Sequence, residues 1–302
     1  MKRALLFTKT ILPVLLIMGI NISSKAQKLN AVQTGSLLAP PKVKVDGKID
    51  EWGGDFEAFN KATKLFYTLA NDDKNLYLVV KSTDLQNNTK IMGGGVTLTI
   101  NTANKKKEEN AYSIRFPIVE RSLLRGIRRP RGASSTTVMD SASMAEAAAA
   151  RKQAIAAIKE IEVLGFKDIT DTLISIYNVY GIKAIAAYDA QGNLQFELSV
   201  PLSLLSLSAD KPKEFAYNIK VNGIQMGGRR NNDGGGRNGG EGGARNGGGG
   251  GFGGAGGGGG FGGGGGGGFG GGGNGGGGNI NIAMNDLLSD TDFWGKYTLI
   301  KK

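Results

Sequence analysis

The chain has 302 residues, 40% of them hydrophobic, with a formal net charge of +11 and neither histidine nor cysteine. That composition excludes disulfide stapling, lipid attachment at a cysteine, Ser-His-Asp and Cys-His catalytic sites, and zinc centres of the usual ligands. Any chemistry must come from carboxylates, lysine, tyrosine or a hard cation held by oxygen.

Lys2 and Arg3 precede a largely apolar stretch, Leu5 to Ile20, and Ser24-Lys25-Ala26 places small residues where a signal peptidase reads them. The expectation is a secretory signal over residues 1–26, giving a periplasmic or extracellular protein that is not a lipoprotein. An uncleaved membrane anchor is the alternative, although the uninterrupted apolar run from Ile11 to Ile20 is short for a span of about 20 residues. Cleavage lowers the basic count from 37 to 33 against 26 acids, a net of +7. Residues 227–278 contain 36 of the 51 glycines, and such a segment buries too little apolar surface to offset its ordering entropy. The remainder suits one β domain over residues 27–302 with insertions; two small domains are the alternative.

Gln27 to Pro41 reads as an extended lead-in. Val43-Lys44-Val45 then predicts a short strand, Asp46-Gly47 a tight turn, and Ile49 with Trp52 an apolar pair for the core. Leu65 to Ala70 and Leu76 to Lys81 flank a polar turn and predict an antiparallel hairpin. Gly93-Gly94-Gly95 predicts a turn or bulge rather than a phosphate cradle, because no helical pattern follows. Val96, Leu98 and Ile100, then Tyr112, Ile114 and Phe116, alternate with polar neighbours and predict a second hairpin.

Arg121, Arg125, Arg128, Arg129 and Arg131 form either an anion patch or a solvated loop; Pro130, Gly132 and the lack of interleaved aromatics favour the loop. Ser141 to Leu164 predicts one inserted helix, with alanine for propensity, Ser141 or Ser143 as cap and Gly165 as terminator. Its apolar stripe would be Met144, Ala148, Ile155, Ile158 and Ile161, lying across the sheet or its edge. Thr172 to Tyr180, Ile182 to Tyr188, Leu194 to Val200 and Phe215 to Val221 predict further strands, with Leu202 to Leu205 a packed turn and Trp294 to Ile300 a closing strand. Because strand signals resume after residue 278, the glycine tract reads as a long loop inside the domain.

Asp46, Asp50, Glu51 and Asp55 crowd one segment and are candidate calcium ligands, although turn carboxylates commonly cap backbone N–H groups instead. A paired-carboxylate glycosidase would need two acids brought across a cleft by the fold. The tract, with Phe252, Phe261 and Phe269 spaced beyond Arg229, Arg230, Arg237 and Arg245, reads as a disordered spacer, a self-association segment or an RNA-binding glycine-arginine segment. The arginines stop where the phenylalanines begin, so nucleic acid is not an expected partner.

The segment Val43-Lys44-Val45-Asp46-Gly47-Lys48-Ile49-Asp50-Glu51-Trp52, the hairpin ending in Leu76-Tyr77-Leu78-Val79-Val80, and the closing Phe293-Trp294-Gly295 resemble the family 9 carbohydrate-binding modules and their DOMON-like relatives. The resemblance implies a mainly β fold, an antiparallel, jelly-roll-like β-sandwich, and a non-catalytic carbohydrate-binding role at the bacterial cell envelope. Sugar-binding members hold a terminal sugar between two tryptophans, and this chain has only Trp52 and Trp294. Trp52 belongs to the structural motif, so the two-tryptophan clamp does not carry over, and the candidates for an aromatic platform are Trp294, Tyr177 and Tyr180. A structural or surface-interaction protein displaying the glycine loop is the alternative from another class.

Overall fold

Strand runs with a single apolar phase assemble into two antiparallel sheets in the computed structural model, which describes residues 29–119, 141–225 and 285–302. The elements in chain order are β1 (Ala58–Asn60), β2 (Leu65–Asn71), β3 (Asn75–Ser82), α1 (Leu85–Gly94), β4 (Val96–Asn101) and β5 (Tyr112–Phe116), then α2 (Ser141–Ala156), β6 (Glu160–Leu164), β7 (Leu173–Ser175), β8 (Lys183–Tyr188), β9 (Leu194–Pro201), β10 (Glu214–Val221) and β11 (Thr291–Thr298). The first sheet has the order β1-β2-β3-β9-β8 and the second β11-β10-β4-β5-β6-β7. Both hairpins expected from alternation are present, β2 with β3 and β4 with β5.

The inward phases of the sheets meet in one core. Tyr67, Leu69, Leu78, Val80, Phe196 and Leu198 of the first sheet are buried with Leu98, Ile100, Ile114, Tyr217 and Ile219 of the second, each apolar side chain stabilising the fold by roughly 1.5–3 kcal/mol. Three ring contacts cross between the sheets, Phe116 to Phe196 at 6.1 Å, Tyr67 to Phe293 at 5.1 Å and Tyr67 to Tyr217 at 6.4 Å. The hydroxyls of Tyr67 and Tyr217 meet at 3.0 Å, which satisfies two polar groups inside an otherwise apolar layer.

The lead-in is fixed along the side of β2 that the short β1 leaves open. Gln33 is 4% exposed; its Nε2 donates to the Leu69 carbonyl and its Oε1 accepts from the Leu69 N–H, both at 2.8 Å. The side-chain amide thus completes a ladder step that no strand supplies. Further on, the Tyr297 hydroxyl donates to the Leu37 carbonyl at 2.9 Å, tying the same segment to the second sheet.

Several expectations are corrected. Val43 to Val45 pairs with no strand. A second helix, α1, occupies residues for which no element is predicted: Asp84 caps it by accepting from the Asn87 N–H at 2.8 Å, and Gly93-Gly94-Gly95, expected as a turn or bulge, close it. The helix expected over 141–164 ends at Ala156, and β6 follows. Ile161 and Val163 are buried while Glu160 and Leu164 are exposed; that period of two competes with the helical spacing of Ile155, Ile158 and Ile161, and pairing with β5 decides in its favour. α2 lies against β8, the edge of the first sheet, where the Arg151 guanidinium sits 5.4 Å from the centre of the Tyr188 ring. Only Leu173–Ser175 of the run expected to Tyr180 is strand.

The strands β10 and β11 pair directly, Val221 opposite Thr291, and the Ile224 N–H donates to the Leu287 carbonyl at 2.8 Å just beyond them. Residues 226–284 therefore connect neighbouring strands. The signal segment, the arginine group from Arg121 to Arg131 and the arginines and phenylalanines of the glycine tract lie outside the described residues. Among the described residues no helix is long and apolar enough to cross a membrane.

Candidate functional site on the outer face of the five-stranded sheet

Alternation along β2, β3, β9 and β8 sends Thr68, Val79, Glu197 and Ile185 to the outer face as one cross-strand row. A glutamate there would ordinarily be solvated, yet Glu197 is 1% exposed. The segment from the predicted Asp46-Gly47 turn to Trp52 covers it. One carboxylate oxygen, Oε2, accepts from the Gly47 N–H at 2.7 Å and the Asp46 N–H at 3.1 Å; the other, Oε1, accepts from the Trp52 indole at 3.3 Å.

The covering segment is shaped by its own short-range bonds. Asp46 Oδ1 accepts from the Lys48 N–H and Glu51 Oε1 from the Lys44 N–H, each at 3.0 Å, and Asp50–Trp52 make a 3₁₀ turn. Gly47 sits at φ +85°, and a Cβ there would lie 2.9 Å from the Cβ of Ala187, so the turn needs glycine for both conformation and contact. Trp52 is half-buried, its ring centre 6.0 Å from that of Tyr77. It rests on the outside of the sheet and does not fill the core.

Burial pushes the Glu197 carboxyl up to about 7, against the pull of its three N–H partners, and the nearby Glu51 charge adds to the rise. An acid that titrates near neutrality thus holds the segment in place. Its oxygens face donors of the covering segment rather than open space.

Beside this covered row lies an open groove of about 700 Å³ lined by Leu29, Gly54, Asp55, Phe56, Phe66, Lys81 and Thr83. Phe66 projects outward because Leu65 and Tyr67 take the inward phase. Its ring centre is 5.9 Å from that of Phe56 and 4.4 Å from that of Phe59. Lys81, directly across from Phe66, pairs with Asp189 at 3.2 Å. Burial alone would raise the Asp189 carboxyl, but hydrogen bonds from Asn193 and the Lys81 ammonium hold it below its usual value. Half-buried rings beside fixed polar groups suit a ligand with an apolar face and hydroxyl edges.

The residues expected to bind do not converge. Trp294 lies on β11, at one edge of the six-stranded sheet, opposite Asn218. Tyr177, 80% exposed, and Tyr180 follow β7, at the other edge of that sheet, so no shared platform forms. Of the four candidate calcium ligands, Asp46 and Glu51 bond backbone N–H groups, Asp50 opens the 3₁₀ turn and Asp55 lines the groove. Among the described residues no three acidic side chains gather as a metal site. Sequence reasoning passed over Phe66 and Glu197, although the out-of-phase position of Phe66 in an alternating strand was a readable signal. Compared with protein-family models, curated proteins and solved structures, the chain finds no match in any of the three.

Proposed function

We propose that the protein is an exported, non-catalytic carbohydrate-binding β-sandwich of the cell envelope, and that the groove beside Trp52 takes the sugar. The observation that carries this reading is the half-buried Phe56–Phe66 ring pair set next to Lys81 and Asp189 on the sheet face. A pyranose would lay its C–H face on Phe66 and turn its hydroxyls toward Lys81, Asp55 and Thr83. The resemblance of Val43 to Trp52 to carbohydrate-binding modules agrees with that choice. A glycan array probed with residues 27–302 tests it: binding to one glycan class is expected, and Phe66→Ala should weaken that binding at least about tenfold, the loss of one stacking contact of about 1.4 kcal/mol. No glycan bound by a folded sample, or binding indifferent to Phe66→Ala, rejects the reading.

A second reading, a surface-interaction protein displaying its glycine tract, is favoured by one feature. Residues 226–284 leave and re-enter at a closed pair of strands. Replacing those residues with a short turn should preserve folding and abolish surface association; unchanged association rejects it.

A further inference from the structure

A buried lysine stands apart from the groove. Lys90, on α1, is 5% exposed, and its ammonium donates to the Thr291 hydroxyl at 3.1 Å. Among the described residues no carboxylate lies within ion-pair distance of it. Asp84 is taken by Lys64 at 3.2 Å, and Asp290 accepts from the Gly223 N–H at 2.8 Å. An ammonium has three N–H donors, and Lys90 uses one on a neutral oxygen. Removing such a charge from water costs several kcal/mol unless an anion or further acceptors compensate.

The compensation has a place to sit. Lys90 lines a cleft of about 260 Å³ together with Lys64, Gln86, Asn87, Ser289 and Thr291, between α1, the turn before β2 and the chain entering β11. The volume admits a single sugar-sized or smaller molecule and not a polymer. Two lysines reach it against one carboxylate, Asp286, and its remaining polar walls are amides and hydroxyls, a net positive composition that suits a carboxylate or a tetrahedral oxyanion. Burial, with the Lys64 charge, holds the Lys90 ammonium below its usual value, and the charges of Asp290 and of Asp286, which also lines the cleft, offset that only in part.

We propose that this cleft binds a small oxyanion-bearing molecule through Lys90, with Lys64 as the second, more exposed cation. The site is separate from the aromatic groove and does not depend on what that groove binds. Sulfate, phosphate and D-glucuronate are the probes, each compared with sodium chloride at matched ionic strength. The readouts are calorimetry and the lysine Cε–Hε NMR signals of residues 27–302. At least one probe should bind saturably and shift the Lys90 signal; Lys90→Met should weaken it at least tenfold, Lys64→Ala a few-fold, and Phe66→Ala not at all. Tighter glucuronate than sulfate or phosphate identifies a carboxylate ligand, and the reverse order an inorganic or ester oxyanion. The direct shift of the Lys90 signal decides the matter even if Lys90→Met fails to fold. No saturable binding by any probe, or binding that leaves the Lys90 signal unmoved, overturns the proposal.

Discussion

Replacing Glu197 with glutamine should flatten the dependence of stability on pH between about 4.5 and 7. In the folded protein burial pushes this carboxyl up to about 7, whereas an ordinary glutamate releases its proton near 4.5. At about 1.36 kcal/mol per pH unit, that difference is worth about 3 kcal/mol. Through this interval the native state binds the proton and the unfolded chain does not, so the stabilisation is complete below about 4.5. It disappears as the pH rises through about 7. The lowered carboxyls of Asp84 and Asp189 act in the opposite sense, supporting the fold above their ordinary value of 3.8 and failing it below; their window does not overlap. Urea unfolding of residues 27–302, followed by tryptophan fluorescence at intervals from pH 4.5 to 8, measures the effect. The wild type should lose about 3 kcal/mol relative to Glu197→Gln across the range. Parallel profiles for the two proteins would show that Glu197 keeps an ordinary proton affinity and is solvated in the native state.

Two further substitutions probe the frame that carries the site. Gly295 faces Tyr217 across β10 and β11, and a Cβ there would lie 2.3 Å from the ring; with Tyr217 fully buried and bonded to Tyr67, Gly295→Ala should cost about 1–3 kcal/mol in urea, and a change below about 0.5 kcal/mol would contradict that packing. Gln33→Leu removes both bonds to the Leu69 backbone and should cost about 1–3 kcal/mol for the stranded groups. Its diagnostic is faster hydrogen exchange at the Leu69 amide, and unchanged exchange would place the lead-in elsewhere.

The parts of the fold that were readable are those in which one residue phase faces a core. Tyr112, Ile114 and Phe116, or Phe215, Tyr217, Ile219 and Val221, alternate because every second side chain meets the opposite sheet. α1 was not readable, because its buried face includes the polar Asn87, Asn88 and Lys90, and two of these find partners distant in sequence, Asn87 at the Thr63 carbonyl and Lys90 at the Thr291 hydroxyl. The end of α2 was misplaced because Ile155, Ile158 and Ile161 satisfy a helical period, while Ile161 and Val163 satisfy a strand period. Only the neighbouring strand distinguishes them. Glu197 stands in the outer phase of its strand, between the inward Phe196 and Leu198. Its burial comes from Asp46, Gly47 and Trp52, about 150 residues earlier in the chain, and no local pattern encodes a cover from so far away.

That distance changes what the segment Val43 to Trp52 contributes. Its acids do not gather for a cation and its tryptophan does not fill the core; its backbone N–H groups and indole converge on one acid of the central part of the sheet. Gly54, Asp55 and Phe56 follow Trp52 at once and form one wall of the groove, and the Glu57 N–H donates to Thr68 at 3.1 Å on the same sheet face. The wall is therefore held at both ends, by Glu197 before it and Thr68 after it. A loop so pinned loses little freedom when a ligand arrives, which is the condition under which a few stacking contacts yield useful affinity. Glu197 does not itself line the groove, yet its bonds to Asp46, Gly47 and Trp52 fix where Phe56 stands relative to Phe66.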